Sequence, residues 1–352
     1  MKYIKIIYLL SFILLFGAGC SIFGGKTVNT NDGGIFQSGD FGNTWQAINY
    51  VGQDGKNQIT INNVNTKQLF FHPQDKSTIY LLSQTQGLYK TDNAGGQWQL
   101  LNQNLGPIGS FAQDAKEPET LYASRGGNIL KTVDEGLNWE TIYIESRAGQ
   151  SISYILVDFF DNQKVYAGTN TGVLLYSVNG GETWSIKSTP NIAMNIMMFH
   201  PDDSRMMYII SYGGGIWQSK DSGVTWSVIT EQLYSTNKTA YQINDFTIDP
   251  NNPEKMMVAS NYGLFITADA GKNWELLEST ILPGTVPILT ANFDPNKKPI
   301  IYFTVGNKMH RSTDNGRNWS IVEIPTTRNI TEMIINPEDS TIIYTGLTQP
   351  IK

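Results

Sequence analysis

The first residues that could do chemistry in this 352-residue chain are acids and hydroxyls at fixed spacing. In SGDFGNTW, Ser38 precedes Asp40 by two residues, and Gly42 and Trp45 follow. The same pattern of Ser/Thr, Asp/Asn, Gly and Trp returns six times, ending at Trp98, Trp139, Trp184, Trp226, Trp274 and Trp319. Its acidic position holds Asp40, Asn93, Asp134, Asn179, Asp221, Asp269 and Asp314. A hard cation needs several oxygen ligands. One acid per octet, replaced by neutral Asn in two copies, does not supply them. The same residues suit a tight turn. Gly accepts a positive φ, an Asx side chain folds onto backbone N–H groups, the hydroxyl adds a local hydrogen bond, and Trp covers the turn as the next strand begins. The octets are therefore read as structural, with no metal and no cofactor.

The elements that carry these turns follow from the spacing. The tryptophans lie 53, 41, 45, 42, 48 and 45 residues apart, a period belonging to solenoids and propellers. An apolar pair precedes each octet, from Ile35-Phe36 to Met309-His310, so strand C enters the turn and strand D leaves it. Upstream, turns such as FHPQDKSTIY and IDPNNPEKMM join strands A and B. Four short strands per period make a propeller blade. The chain opens its fold on a C–D pair and finishes on an A–B pair, ITEMIINPEDSTIIYTGL. The expected architecture is all-β: a seven-bladed β-propeller of four-stranded blades over residues 32–352, closed 2+2 by the two chain ends so that no edge is left free.

The octets resemble the Asp-box, or BNR, repeat, shared by sialidases, sortilin-type receptors, xyloglucan hydrolases and photosystem II assembly factors. GLYKTD and GLFITAD are similar to the sortilin-type variant. The resemblance implies that the octet turns lie away from the ligand face, which is then built by the D–A and B–C loops. Two loops there are long and polar, about 47–66 and 230–242. Loops on a rigid scaffold carry function, and exposed Tyr and Arg anchor partners. The candidate contacts are Arg125, Arg147, Tyr212, Tyr234, Tyr262 and Arg328. The resemblance also implies what an enzyme would need. A sialidase-like site requires three converging arginines, for which Arg125, Arg147 and Arg328 are available, but no Tyr–Glu pair is assignable. Glycosidases of other kinds need two carboxylates. Asp245 and Glu332 share a slot of the innermost strands, yet the xyloglucan hydrolases place their cleft between two propellers. His72 and His200 occupy one A–B turn slot, filled by Asp or Asn elsewhere, and His310 sits where other blades carry an apolar residue. All three read as structural.

The formal charge of −6 leaves no basic excess for nucleic acid. At the N-terminus, Lys2 and Lys5 precede an apolar run to Phe16 and then GAGC, the pattern of a secretory signal. Cys20 is the only cysteine, so no intrachain disulfide forms. Its placement resembles a bacterial lipobox, with Gly17 where Leu is usual. Residues 1–19 are expected as a lipoprotein signal peptide and 20–31 as a lipidated Cys and spacer. The expected protein is a monomer in the bacterial cell envelope, extracytoplasmic, on the outer membrane where one exists. It binds a protein partner at the loop face without doing chemistry. A glycan-binding or glycan-hydrolysing propeller is the alternative.

Overall fold

The computed structural model describes residues 32–101 and 105–350; the expectations for the signal segment and Cys20 lie outside them. Seven four-stranded antiparallel sheets form a closed ring of blades. Blade 1 runs through Thr66–Phe71, Ile79–Ser83, Leu88–Thr91 and Gln99–Leu101 as strands A to D. Five further blades repeat that order. The last, blade 7, has strand A Asn329–Ile335 and strand B Ile343–Thr348 from the C-terminus, and strand C Ile35–Ser38 and strand D Gln46–Ala47 from the N-terminus. Its seam is a full ladder, with Ile35 opposite Gly346 and Ser38 opposite Ile343. The expected 2+2 closure is what the register records.

The core lies between blades rather than within them. The B strands are buried along their length, as in Ile79–Ser83 and Val165–Thr169. One apolar cluster joins Tyr208 and Ile210 of blade 4 to Phe246, Val258 and Phe265 of blade 5. Another joins Ile35 and Tyr344 of blade 7 to Leu69, Ile79 and Trp98 of blade 1, so the closing blade is packed like any other. Such burial stabilises by about 25 cal/mol per Å² of apolar surface.

Each octet is a hydrogen-bonded turn of one design. In blade 7 the Ser38 hydroxyl donates to Asp40 Oδ1 at 2.8 Å and accepts from Gly42 N at 2.8 Å, while Asp40 Oδ1 accepts from Thr44 N at 2.8 Å. In the Asn copies the amide oxygen takes the same bonds, as from Thr91 Oγ1 and Gln97 N to Asn93. No metal is needed to hold either form. These bonds, led by those from Thr44, pull the Asp40 carboxyl down to about 2. Asp314 falls to about 2 through the Asn318 side chain first.

One feature of the turn was not expected. The residue before the octet Gly is also left-handed in every copy, with φ from 56° at Ala94 and Glu135 to 64° at Gly180. Its carbonyl points to the preceding blade. Gly180 O accepts from both Tyr122 Oη and Lys131 Nζ of blade 2 at 2.9 Å, and Phe41 O accepts from Arg311 Nη1 of blade 6 at 2.7 Å. The octet is thus a latch between blades as well as a turn. The Tyr122 slot recurs too: Tyr80, Tyr122, Tyr166, Tyr208, Tyr302 and Tyr344 occupy one buried B-strand position, from which Tyr344 also donates to Ala94 O at 3.4 Å, and Met257 fills it in blade 5.

Both long segments expected as loops are structured. Residues 50–60 form a hairpin, Tyr50–Asp54 with Asn57–Thr60. It is held to blade 1 by Trp98 N donating to Tyr50 O at 2.8 Å. Its turn is Gly55-Lys56, with Gly55 at φ 61°, a glycine at the first turn position that suits a two-residue hairpin and was hidden by the polar character of the strands. The other segment forms a short helix, Glu231–Thr236, and a 3-10 turn, Lys238–Tyr241, buried through Leu233 and Ala240. Two apolar anchors in a polar run give no helical periodicity to read.

Candidate functional site

Antiparallel order puts the A–B and C–D turns on one face of the ring and the B–C and D–A connections on the other. Register then aligns the innermost strands. The residues one step before Leu69, Phe111, Ile155, Met197, Phe246, Ala291 and Met333 occupy one position per blade. These are Gln68, Ser110, Tyr154, Ile196, Asp245, Thr290 and Glu332. A one-residue bulge precedes this position in blades 1, 3, 5 and 7. Bulges re-aim side chains, and Gln68, Tyr154, Asp245 and Glu332 are the residues that follow them. Gln68 Nε2 donates to Tyr154 Oη at 3.0 Å, a bond from blade 1 to blade 3 that passes over blade 2.

Asp245 and Glu332, placed in matching slots from sequence, meet in this ring as two coupled acids. Asp245 is well supported: Oδ2 accepts from Thr290 Oγ1 at 2.7 Å and Ala291 N at 3.0 Å, and Oδ1 accepts from Phe246 N at 2.8 Å. Burial nonetheless pushes its carboxyl above the usual range. Glu332 is pushed well above it, first by burial and then by the charge of Asp245, against one hydrogen bond from Leu69 N.

The six expected contact residues divide. Tyr212 is 61% exposed on the blade 4 B–C turn, within electrostatic reach of Asp245 and Glu332. Tyr234 is 53% exposed on the short helix, its ring edge-on to Tyr241 at 5.5 Å. Tyr262 is half-buried and stacks on Phe265 at 6.2 Å. Its carbonyl accepts from Gly284 N at 2.7 Å, beside Leu282, which is 74% exposed. These residues form an arc over blades 4 to 6. The arginines do not assemble. Arg125 is exposed and donates to Leu105 O at 3.3 Å. Arg147 is taken up by Glu145 through its Nε at 2.8 Å and its Nη2, which draws the Glu145 carboxyl down to about 2. Arg328 corrects the expectation most clearly. It is 2% exposed, donates to Asn65 Oδ1 at 3.0 Å and pairs with Asp32 Oδ1 at 3.5 Å. It ties the first described residues to the blade 6–7 connection and offers nothing to a partner.

The histidines are structural in place and bonding. His72 Nδ1 accepts from Gln74 N and Asp75 N, and His200 Nδ1 from Asp202 N. The carboxylate of Asp158 and the amide of Asn336 take equivalent bonds in their blades. His310 is buried and stacks on Phe303 at 4.4 Å. Among the described residues no three His, Cys, Asp or Glu side chains gather as a metal site, and no helix is long and apolar enough to cross a membrane.

Seven four-stranded blades with an octet at every C–D turn define a BNR-type β-propeller. A family model described as photosynthesis system II assembly factor YCF48 matches residues 188–338. The chain is 27% identical over 238 residues to the xyloglucanase Xgh74A of Acetivibrio thermocellus, covering 56% of this chain and 28% of that protein. It spans about a quarter of the length of the curated xyloglucanases it matches. Two solved structures share the fold. The GH74 xyloglucanase from Xanthomonas campestris has a TM-score of 0.64 at 14% identity, covering 86% of this chain and 52% of that one. YCF48 bound to D1 peptide has a TM-score of 0.62 at 16% identity, covering 81% and 94%.

Proposed function

We propose that this propeller is a non-enzymatic binding module that holds a protein partner on its loop face. The observation that carries this reading is the arc of exposed Tyr212, Tyr234 and Leu282 on a closed, rigid ring. Exposed aromatic anchors on a preformed scaffold suit protein recognition at low entropic cost. A relative of the same fold and nearly the same extent has been solved with a peptide bound. The engagement of all three loop-face arginines by separate groups within the chain argues against a sialidase-like carboxylate clamp. The test is a pull-down from envelope extracts with wild type, Tyr212→Ala and Tyr234→Ala. Loss of one discrete partner in either variant supports the reading; identical recovery from all three sinks it.

The second reading is a protein that binds or cleaves neutral glycans. It is favoured by Asp245 and Glu332 with their raised carboxyls and by the xyloglucanase relatives. A raised carboxyl is the form a general acid needs. Release of reducing ends from xyloglucan, abolished by Glu332→Gln, would select this reading over the first.

Anchoring belongs to the proposal too. In this reading Cys20 carries a lipid and holds the propeller on the outer face of a bacterial membrane. Cys20→Ser then moves the protein from the membrane to the soluble fraction; retention of the variant in membranes refutes the anchor.

A further inference from the structure

We propose that the groove between blades 5 and 6 on the turn face is a second binding site, taking a small neutral saccharide. It lies on the face opposite the partner surface described above and stands independently of it.

The groove exists because this junction departs from the repeat twice. The B-strand slot that packs against the next blade holds tyrosine elsewhere and Met257 in blade 5, so no phenol reaches toward the blade 6 octet. Lys255 crosses instead, its Nζ donating to Asn315 Oδ1 at 3.1 Å. The second departure is in the A–B turns. In blades 2 and 3 the turn acid is taken up by the next blade: Asp114 Oδ2 accepts from Asn162 Nδ2 and Asp158 Oδ2 from Ser204 Oγ, each at 2.8 Å. Asn162 and Ser204 both stand four residues before the slot tyrosine, and Lys298 holds that place in blade 6. Lys298 turns away to blade 7, where its Nζ donates to Ser340 Oγ at 2.9 Å and lies 4.3 Å from the Phe41 ring centroid. Asp249, the turn acid of blade 5, is left with Oδ1 on Asn251 N at 2.8 Å and no bond at Oδ2 among the described residues.

Between the two blades is a cavity of about 390 Å³, toward the small end of the range for small-molecule sites. Its lining offers both kinds of hydrogen-bonding group. Asp249 Oδ2 accepts. Lys297 Nζ, Asn315 Nδ2 and the remaining N–H groups of Lys255 donate, and none of them is engaged among the described residues. Asp294 belongs to the same lining, 2% exposed and with no partner for Oδ2 among the described residues. Charge balances, with Asp249 and Asp294 against Lys255 and Lys297. A charged ligand gains little from such a set. A hydroxyl both donates and accepts, so a polyol meets it group by group. The Phe293 ring, 5.0 Å below Lys255 Nζ, gives the lining an apolar floor for the C–H face of a sugar. An extended peptide would need a free strand edge for its amides, and the walls here are turns. The bond from Lys255 to Asn315 and another from Asn251 Nδ2 to Pro295 O at 3.1 Å tie the two blades across the groove, so little ordering accompanies binding.

The test titrates glucose, galactose, mannose, xylose, cellobiose and lactose into the purified protein, read by saturation-transfer NMR and calorimetry, with glucose 6-phosphate and glucosamine as charged controls. The expected result is saturable binding of at least one neutral sugar, about tenfold or more tighter than either charged control. Met257→Tyr installs the residue that the other blades carry and narrows the groove; Lys297→Ala removes an exposed donor. Each weakens the sugar about tenfold. Because Met257→Tyr changes a buried position, Asn315→Gly provides a further arm. It removes the amide while glycine suits φ 60°, so affinity falls while the thermal midpoint is kept or raised. Absence of saturable binding across the panel, equal or tighter binding of a charged control, or wild-type affinity in both Lys297→Ala and Asn315→Gly each overturns the proposal. Loss of the sugar in Glu332→Gln also overturns it, since that would place the ligand in the channel. A variant that loses the sugar but still recovers the pull-down partner supports two separate sites.

Discussion

Replacing His310 by phenylalanine isolates the acid sensitivity of a single buried ring. His310 is 1% exposed, stacks on Phe303 at an interplanar angle of 12°, and shares a 2.7 Å hydrogen bond between Nδ1 and Thr280 Oγ1. Its Nε2 has no partner among the described residues. Burial, aided by the charge of Lys308, lowers its pKa from 6.5 to about 4. The folded protein therefore refuses a proton that the unfolded chain accepts. This contribution to stability is complete above pH 6.5, falls as the pH drops toward 4, and is level below that. Linkage over the window from 6.5 to about 4 removes about 3 kcal/mol, of which about 2.5 kcal/mol is already gone near pH 4.5. Phenylalanine already fills the equivalent slot at Phe36 and Phe265, so the variant fits the blade. At about pH 7.5 it loses the Thr280 bond and costs about 1 kcal/mol. At about pH 4.5 the comparison shifts toward the variant by about 2.5 kcal/mol. Urea unfolding of both proteins at the two pH values measures this, and titrating carboxylates cancel because both proteins contain them. Parallel pH profiles would refute the reasoning, since they would mean that the ring takes its proton inside the folded blade.

Other expectations concern the turns and the seam. Thr132→Val removes a hydroxyl that donates to Asp134 Oδ1 at 2.6 Å and accepts from Gly136 N at 3.1 Å; chemical denaturation should show a loss of about 1–2 kcal/mol. Ala94, at φ 56°, pays for a left-handed backbone, so Ala94→Gly should be neutral or stabilising by up to about 1 kcal/mol, and Ala94→Val destabilising by about 1 kcal/mol or more. Equal stability of the Gly and Val variants would contradict the strain argument. Arg328→Ala should lower stability by about 3 kcal/mol, since it removes one partner of a buried ion pair; a thermal midpoint unchanged from wild type would show that the seam does not depend on it.

The blade count, the strand order and the closure were legible because their causes are local. The octet needs only eight residues to form its turn, and seven copies at a near-constant period leave one closed arrangement for four-stranded blades. The shared slots of His72 with His200, and of Asp245 with Glu332, could be read for the same reason: in a repeat, equivalent positions share an environment. The recurring B-strand tyrosine was in plain view, but its role was not, because where its hydroxyl latches, as Tyr122 does on Gly180 O and Tyr344 on Ala94 O, the partner lies in the next blade.

What the sequence by itself determined, then, is the ring: turn chemistry and alternation act within a few residues, and repetition converts them into architecture. Tertiary structure alone decided which candidates can reach a partner. Arg328 reads as a loop cation until the chain ends meet around it and bring Asn65 and Asp32 to its guanidinium. Asp245 comes to act on Glu332 only when blades 5 and 7 are brought to opposite sides of blade 6. Burial and electrostatic coupling depend on groups separated by tens to hundreds of residues, and no local pattern encodes the distance between them.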